Sequence, residues 1–273
     1  MSHQTPTVCV VTTAYNAGRY IGAAVDSMAR QSGVSCEHVV VDDGSTDDTR
    51  EVVQKSGPRV RLIAAGRIGR GPALNLGWRS SSAPYIAIQD ADDVSHPERL
   101  QREVAFLEAH PGFGAVGTGQ ILVDGDAEPV WPVIGVATSG DVTRMLPFVN
   151  PLSHTSVVFR RSALVAVGGY DERRDVLFDW DIYVRLAAAG IRMAKLSTPL
   201  VAKRIHDEQF FEARRRWQYV SRMLEIQWRA LPASGVPRAA ALTFPVLAAY
   251  RWLPRGWRMR ARRAAYEQRD RHE

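Results

Sequence analysis

Residues 7–43 read TVCVVTTAYNAGRYIGAAVDSMARQSGVSCEHVVVDD. The stretch opens on one β-branched run, residues 7–13, and reaches a second at residues 38–41. Neither run alternates apolar with polar residues, so both read as strands covered on two faces, as in a parallel sheet. Between them, Tyr20, Ile21, Ala24, Val25 and Met28 fall on one face of a helix over 19–30. The same alternation continues downstream. A Ser-Thr-Asp cluster suited to an N-cap precedes a helix over 48–55, residues 60–64 read as a third strand, 72–79 as a third helix and 85–88 as a fourth strand. Such strict alternation implies right-handed crossovers and an open α/β sheet.

Beyond residue 93 the pattern is mixed. A helix over 97–109, a strand over 115–123, a glycine turn at 124–126 and a Pro-rich loop over 129–151 come first. A strand at 156–160, a Gly168-Gly169 turn, a helix over 179–189 stopping at Gly190, and a strand over 199–206 follow. From about Phe210 the chain reads as helical and rich in arginine and tryptophan. With 273 residues, 45% hydrophobic and 23% charged, the chain is neither disordered nor fibrous and needs no disulfide or structural metal to fold. Cys9 and Cys36 fit no metal or redox spacing and read as buried small residues in a reducing compartment. The first residues show no basic-then-apolar leader, so secretion is not expected, and no apolar run is long enough to span a bilayer. The formal charge of +6 is uneven. Residues 1–202 hold 19 basic against 22 acidic residues, whereas 203–273 hold 16 against 7. A charge-based partner is therefore relevant to the C-terminal segment alone.

Polar side chains gather where an open sheet binds ligands, just past the C-terminal ends of the strands. Thr13 and Tyr15 follow the first, Asp42 and Asp43 the second, and Asp90, Asp92 and Asp93 the fourth. In an extended segment Asp90 and Asp92 point the same way, and paired carboxylates call for a cation or a proton between them. Oxygen ligands of this kind suit Mg²⁺ or Mn²⁺ with phosphate oxygens completing the shell; the plainer alternative is a solvated acidic turn ahead of the next helix. Asp43 can accept from a nucleobase N–H, or it can form an Asx turn with Gly44 and Ser45. Tyr15 offers a hydroxyl and an aromatic face.

The segments VCVVTTAYNAGRYIGAAVDSM, VVVDDGSTDDT, ALNLGW and YIAIQDADDVSHPERL, followed in order by HTSVVFRRSALVAVGGYDE, FDWDIYVRLAAAG and RIH, resemble glycosyltransferase family 2 over residues 7 to about 206. The resemblance implies an α/β GT-A fold, with a Rossmann-like, mostly parallel central sheet flanked by helices. Residues 1–206 form the catalytic domain, 1–95 its nucleotide-sugar half and 96–206 its acceptor half, and 207–273 a basic helical extension. It also implies an inverting transfer from a nucleotide sugar, a UDP-sugar being expected, to a hydroxyl of a saccharide or lipid-linked glycan. Thr13, Tyr15 and Asp43 would contact the nucleoside, and Asp90 the ribose side. Asp92 would bind Mn²⁺ or Mg²⁺ on the diphosphate, with His206 approaching the same metal. Arg70 would touch base or phosphate, or stand as a solvated loop cation. Asp179 matches the family's general base, although Phe178 occupies the place of the glutamate that usually precedes it. Asp181 is the nearby competitor, with helix solvation as its plain reading. His154 lines the acceptor cleft or is a core histidine, and Gly168-Gly169 approaches the donor sugar or makes a turn.

Two other functional classes remain open on the residues. A non-catalytic nucleotide-sugar or membrane-surface binding protein would share the fold, and Phe178 favours it. A nucleotidyltransferase would want a Gly-rich phosphate loop that the N-terminus lacks. The arginine-rich C-terminal helices either pack on the catalytic domain or on a second subunit as a homodimer, or lie on an anionic membrane surface, giving a cytoplasmic protein with peripheral contact at the inner face. No nucleic-acid reading motif accompanies the charge.

Overall fold

The computed structural model describes residues 6–57, 59–135, 138–206 and 216–252. Strands β1 (Val8–Ala14), β2 (Cys36–Asp42), β3 (Val60–Ala64) and β4 (Tyr85–Ile88) are parallel and lie in the order β3-β2-β1-β4. Helices α1 (Gly18–Ala29), α2 (Thr49–Lys55) and α3 (Arg70–Arg79) make the crossovers. Strand order reverses between β1 and β4, which opens a crevice at their C-terminal ends. The unbroken apolar runs are explained by packing on both sides. Val8, Cys9, Val10 and Val11 all have no exposed surface. Cys9 and Val11 join Ala73, Leu74 and Trp78 of α3, whereas Val8 and Val10 pack with Met28 of α1.

The sheet continues past β4 as a mixed one. Next to β4 lies β8 (Val157–Arg160), antiparallel to it and to β6 (Phe113–Asp124). Then comes β9 (Arg192–Ile205), parallel to β6, with the two-residue β5 (Val94–Ser95) and the short β7 (Ser139–Asp141) antiparallel to β9. Strand β9 starts seven residues before the expected 199. Pro199 reads as a strand start, but the pairing absorbs it at an irregularity around Gly119, where a Cβ would meet the Ser197 carbonyl at 2.7 Å. β7 lies inside the Pro-rich stretch read as loop, and a short helix, α5 (Arg161–Ala166), follows β8. Helix α4 (Arg99–Ala109) packs under β6, and α6 (Phe178–Ala188) brings Trp180, Ile182, Tyr183 and Leu186 into the main core.

The boundary expected between 206 and 207 falls at the edge of 207–215, outside the described residues. Beyond it, α7 (Arg216–Ala233) sets Val220, Met223, Ile226 and Ala230 into the same core as α6. A 3₁₀ turn (Arg238–Thr243) and α8 (Phe244–Trp252) follow, and residues 253–273 lie outside the described residues. No helix among the described residues is long and apolar enough to cross a membrane. Both cysteines are free. Cys9 is buried, which pushes its thiol up to about 12, while Cys36 is only half-buried, unlike the expected pair of buried residues.

Two glycines separate close packing from mere helix weakening. A Cβ on Gly77 of α3 would lie 2.5 Å from Val11 Cγ1, whereas one on Gly22 of α1 would touch Val52 Cγ1 at 3.5 Å. Gly77→Ala is expected to destabilise the fold by about 1–3 kcal/mol through overpacking. Gly22→Ala is expected to stabilise it by about 0.5–1 kcal/mol through helix propensity. Urea denaturation of both variants checks the opposite signs.

Candidate active site

The sequence just after β1 and β2 folds into a shelf of short hydrogen bonds. Asn16 takes a left-handed conformation (φ 49°), so its N–H donates to Ser45 Oγ at 3.0 Å while its Oδ1 accepts from Thr46 N at 2.9 Å. Asp42 is buried against Arg50 and accepts from Ser45 N. Burial opposes its charge, but the Ser45 and Arg50 hydrogen bonds outweigh that and hold its carboxyl below the usual range. Asp43 is buried too, and its Oδ1 accepts from Ile68 N at 2.7 Å and Gly69 N at 2.9 Å. It therefore fixes the loop that leads directly into Arg70. Thr13 is half-buried beside it at the end of β1, and Tyr15, 46% exposed, carries the Arg67 guanidinium over its ring at 3.3 Å.

The acidic cluster sits in a turn, since β4 stops at Ile88 and Asp93 N donates to the Asp90 carbonyl at 3.3 Å. The expected side-by-side placement is therefore produced by a turn and not by strand alternation. The carboxylate oxygens of Asp90, Asp92 and Asp93 lie within 4.8 Å of one another. Arginines and buried amides hold them there. Arg70 donates to Asp90, and Asp90 N donates to Thr155 Oγ1 at 3.1 Å. Asp92 Oδ2 is 3.1 Å from His206 Nε2. Asp93 Oδ1 accepts from Arg204 N at 2.9 Å, and Arg204 Nε donates to the Asp92 carbonyl at 3.1 Å. Below the turn, fully buried Arg99 binds Glu103, the Gln89 side chain and the Ile88 carbonyl. Asp93 Oδ2 has no hydrogen-bond partner among the described residues, and burial together with the Asp90 and Asp92 charges pushes its carboxyl up to about 8. Three carboxylates, one of them with a buried oxygen lacking a partner among the described residues, fit a divalent cation.

Asp179 approaches from the opposite wall. Leu177, left-handed at φ 55°, starts α6 and puts Asp179 in its first turn, where Asn150 Nδ2 donates to Asp179 Oδ2 at 2.7 Å. Phe178 is buried in an aromatic wall with His154 at 5.3 Å and Tyr170 at 6.2 Å, and the Arg70 guanidinium lies 5.1 Å from its ring centroid. The departure at 178 thus provides an aromatic face for Arg70. Burial disfavours the Arg70 charge, but the fields of Asp90, Asp92 and Asp179 outweigh it and hold that guanidinium above its usual value. Arg70 thus stands within the fields of Asp90, Asp92 and Asp179, His206 adjoins Asp92, and Asp43 is tied to them through the loop before Arg70, with Thr13 beside it. Arg70 is no solvated loop cation.

Several expected alternatives are now decided. His154 is a core histidine that shares a 2.9 Å hydrogen bond with the Tyr170 hydroxyl, and burial pushes it down to about 4. Gly168 and Gly169 both have positive φ, and a Cβ on Gly169 would strike Asn75 and Trp78, so they make a turn docked on α3. Asp181 is not a solvated helix acid. It is buried and ion-paired with Arg174 at 3.0 Å and with Arg185 and Arg229 at 2.8 Å. Arg67, Asn150, Thr155 and Arg204 escaped the sequence reading. Arg204 stood next to His206 in a motif already quoted, whereas Asn150 lies in the Pro-rich stretch with no periodic signal.

A sequence profile described as Glycosyl transferase family 2 matches residues 9–164, and one described as Glycosyltransferase like family 2 matches 134–226. The chain belongs to glycosyltransferase family 2. Among curated family members, it is 30% identical over 218 residues to the putative glycosyltransferase EpsE of Bacillus subtilis, covering 75% of each chain. Solved structures show the same GT-A architecture. TarS 1–349 of S. aureus, in complex with UDP-GlcNAc, superposes with a TM-score of 0.69 at 18% identity over 90% of this chain and 72% of that one. Mannosyltransferase PcManGT of Pyrobaculum calidifontis, in complex with GDP-Man and Mn²⁺, gives 0.61 at 20% identity over 94% and 84%.

The two acids of α6 differ in kind, and stability separates them. Asp181→Asn leaves three arginines around a neutral group and is expected to cost about 3–5 kcal/mol. Asp179→Asn keeps an acceptor for Asn150 and is expected to change stability by about 0.5 kcal/mol or less. Chemical denaturation of the two variants side by side measures the difference.

Proposed function

We propose that this glycosyltransferase is an inverting, metal-dependent enzyme that moves a sugar from a UDP-sugar to a hydroxyl of a saccharide or lipid-linked glycan. The observation that carries the reading is the cluster of Arg70, Asp90, Asp92 and His206, with Asp179 close enough for its charge to act on Arg70. The UDP-GlcNAc complex of TarS supports the UDP assignment, and the Mn²⁺ in PcManGT supports the metal. Free Cys9 and Cys36 accord with a reducing, cytoplasmic setting. The division of labour we propose is 1–95 for the donor and 96–206 for the acceptor.

In this reading Asp43, with Oδ1 held by two backbone N–H groups, accepts from the uracil N–H through Oδ2, while Tyr15 and Thr13 flank the nucleoside. Asp90 accepts from a ribose hydroxyl. Arg70 turns from Asp90 toward the diphosphate, a charge-assisted exchange between two anions. Asp92, His206 and the Asp93 oxygen would hold Mn²⁺ or Mg²⁺, which would supply Lewis-acid stabilisation of the leaving diphosphate. Asn150 fixes one oxygen of Asp179 and leaves the other to take the proton of the acceptor hydroxyl. That hydroxyl oxygen bonds to the anomeric carbon on the face opposite the diphosphate as the carbon–oxygen bond to phosphate breaks. The configuration inverts, the proton ends on Asp179 and the nucleoside diphosphate departs. Phe178 gives Arg70 a neutral seat; a glutamate there would compete with the diphosphate for its charge.

The same Phe178 supports a second reading, a nucleotide-sugar binding protein that does no transfer. Kinetics separate the two. Asp179→Asn is expected to lower the rate of acceptor-dependent nucleoside diphosphate release by about 10²–10⁴-fold, with UDP affinity unchanged in calorimetry. Wild-type protein that binds UDP yet releases no nucleotide with saccharide or lipid-linked acceptors would favour the binding protein. Equal loss of affinity and rate in the variant would make Asp179 a donor ligand instead of a base.

A further inference from the structure

Helices α6 and α7 carry a second binding feature. Between α6 and α7 lies a groove of about 320 Å³ whose walls include Val184, Ala188, Trp228 and Leu231 and whose charged edge includes Arg185 and Arg238. Its surroundings hold more arginine than carboxylate. Asp171, Asp181 and Glu225 are shared among Arg173, Arg174, Arg185, Arg222 and Arg229, and exposed Asp175 follows Arg174, which leaves an excess of one positive charge before Arg238 is counted. The Arg185 Nη2 atom is buried with no hydrogen-bond partner among the described residues. Apolar side chains next to this cluster face water: Trp228 is 57% exposed on α7, Leu242 83% in the 3₁₀ turn and Val246 70% on α8. Leu242 and Val246 are four residues apart, one turn, on the side away from buried Phe244.

Greasy and cationic at once, such a surface matches an interface between hydrocarbon and anionic headgroups. We infer that the groove and the turn from Arg238 to Val246 dock this enzyme on an anionic phospholipid surface, with phosphate headgroups at the arginines and acyl chains against Trp228, Leu242 and Val246. A second copy of the chain is a poor occupant, because it would set one arginine-rich face against another. Single-stranded nucleic acid would want aromatic platforms, and most of these walls are aliphatic. The excess of 16 basic over 7 acidic residues in 203–273 adds to the attraction. Docking here would also orient the site, because α6 carries Asp179 in its first turn and the groove residues 184–188 about 8–14 Å further along its axis.

Flotation of the full chain with vesicles tests this with no donor, metal or acceptor present, so the result is independent of the proposed reaction. Vesicles of phosphatidylcholine mixed with phosphatidylglycerol are expected to carry the protein, and pure phosphatidylcholine vesicles are not. Arg238→Glu and Leu242→Asp alter exposed side chains and are each expected to weaken binding about tenfold at unchanged melting temperature. Arg144→Glu makes the same charge change away from the groove and is expected to bind like the wild type. Wild-type protein that ignores the anionic vesicles would overturn the inference. So would groove variants that float normally, or an Arg144→Glu variant weakened as much as Arg238→Glu.

Discussion

Three carboxylates confined to one turn repel one another, and much of the surrounding structure serves to hold them together. Asp90, Asp92 and Asp93 stand within a single ion's reach. Arg70 approaches them from α3, His206 and Arg204 from the end of β9, and Arg99 braces the turn from beneath through the Ile88 carbonyl and Gln89. Those supports come from elements far apart in sequence, so the geometry of the turn depends on tertiary packing. Even then Asp93 keeps an orphaned oxygen and a carboxyl pushed up to about 8. The protein thus tolerates a local charge concentration that a divalent cation would relieve, a pattern more consistent with a binding site than with a stabilising turn.

Arg70 connects this cluster to the rest of the crevice. Asp43 fixes the loop before it, Phe178 gives it an aromatic face, and Asp179 adds to the field that keeps it charged. The departure from the family pattern at Phe178 therefore has a local physical partner. Asp181, two residues past Asp179, does different work: Arg229 pairs it directly with α7, and Arg174 bridges it to Glu225 of α7, whose apolar face enters the main core.

The sequence made the first four strands legible because each is a short β-branched run between helices of clear period, and the structure shifts their ends by two residues or fewer. It failed where a strand contradicts its own signals: β9 begins at Arg192 and runs on through Pro199, which reads as a strand start until pairing with β6 absorbs it. Candidate residues at strand ends were legible for the same reason the strands were. Asp90 and Asp92 were found through a premise the structure replaces, since a turn and not an extended segment brings them together. Asp181 was misread because only Arg185, four residues on, is visible locally; Arg174 and Arg229 arrive through tertiary packing. Asn150 had no signal at all, because a lone polar residue in an aperiodic stretch gains meaning only from what it faces.

The central claim is that the acidic turn holds a divalent ion together with a nucleotide diphosphate. Electron paramagnetic resonance of Mn²⁺ reads it directly, as the free-ion signal is lost on binding. Titrating the protein and UDP together should quench that signal in the wild type and leave it nearly intact in Asp92→Asn. An undiminished Mn²⁺ signal in wild-type protein saturated with UDP, or equal quenching in both proteins, would contradict the claim.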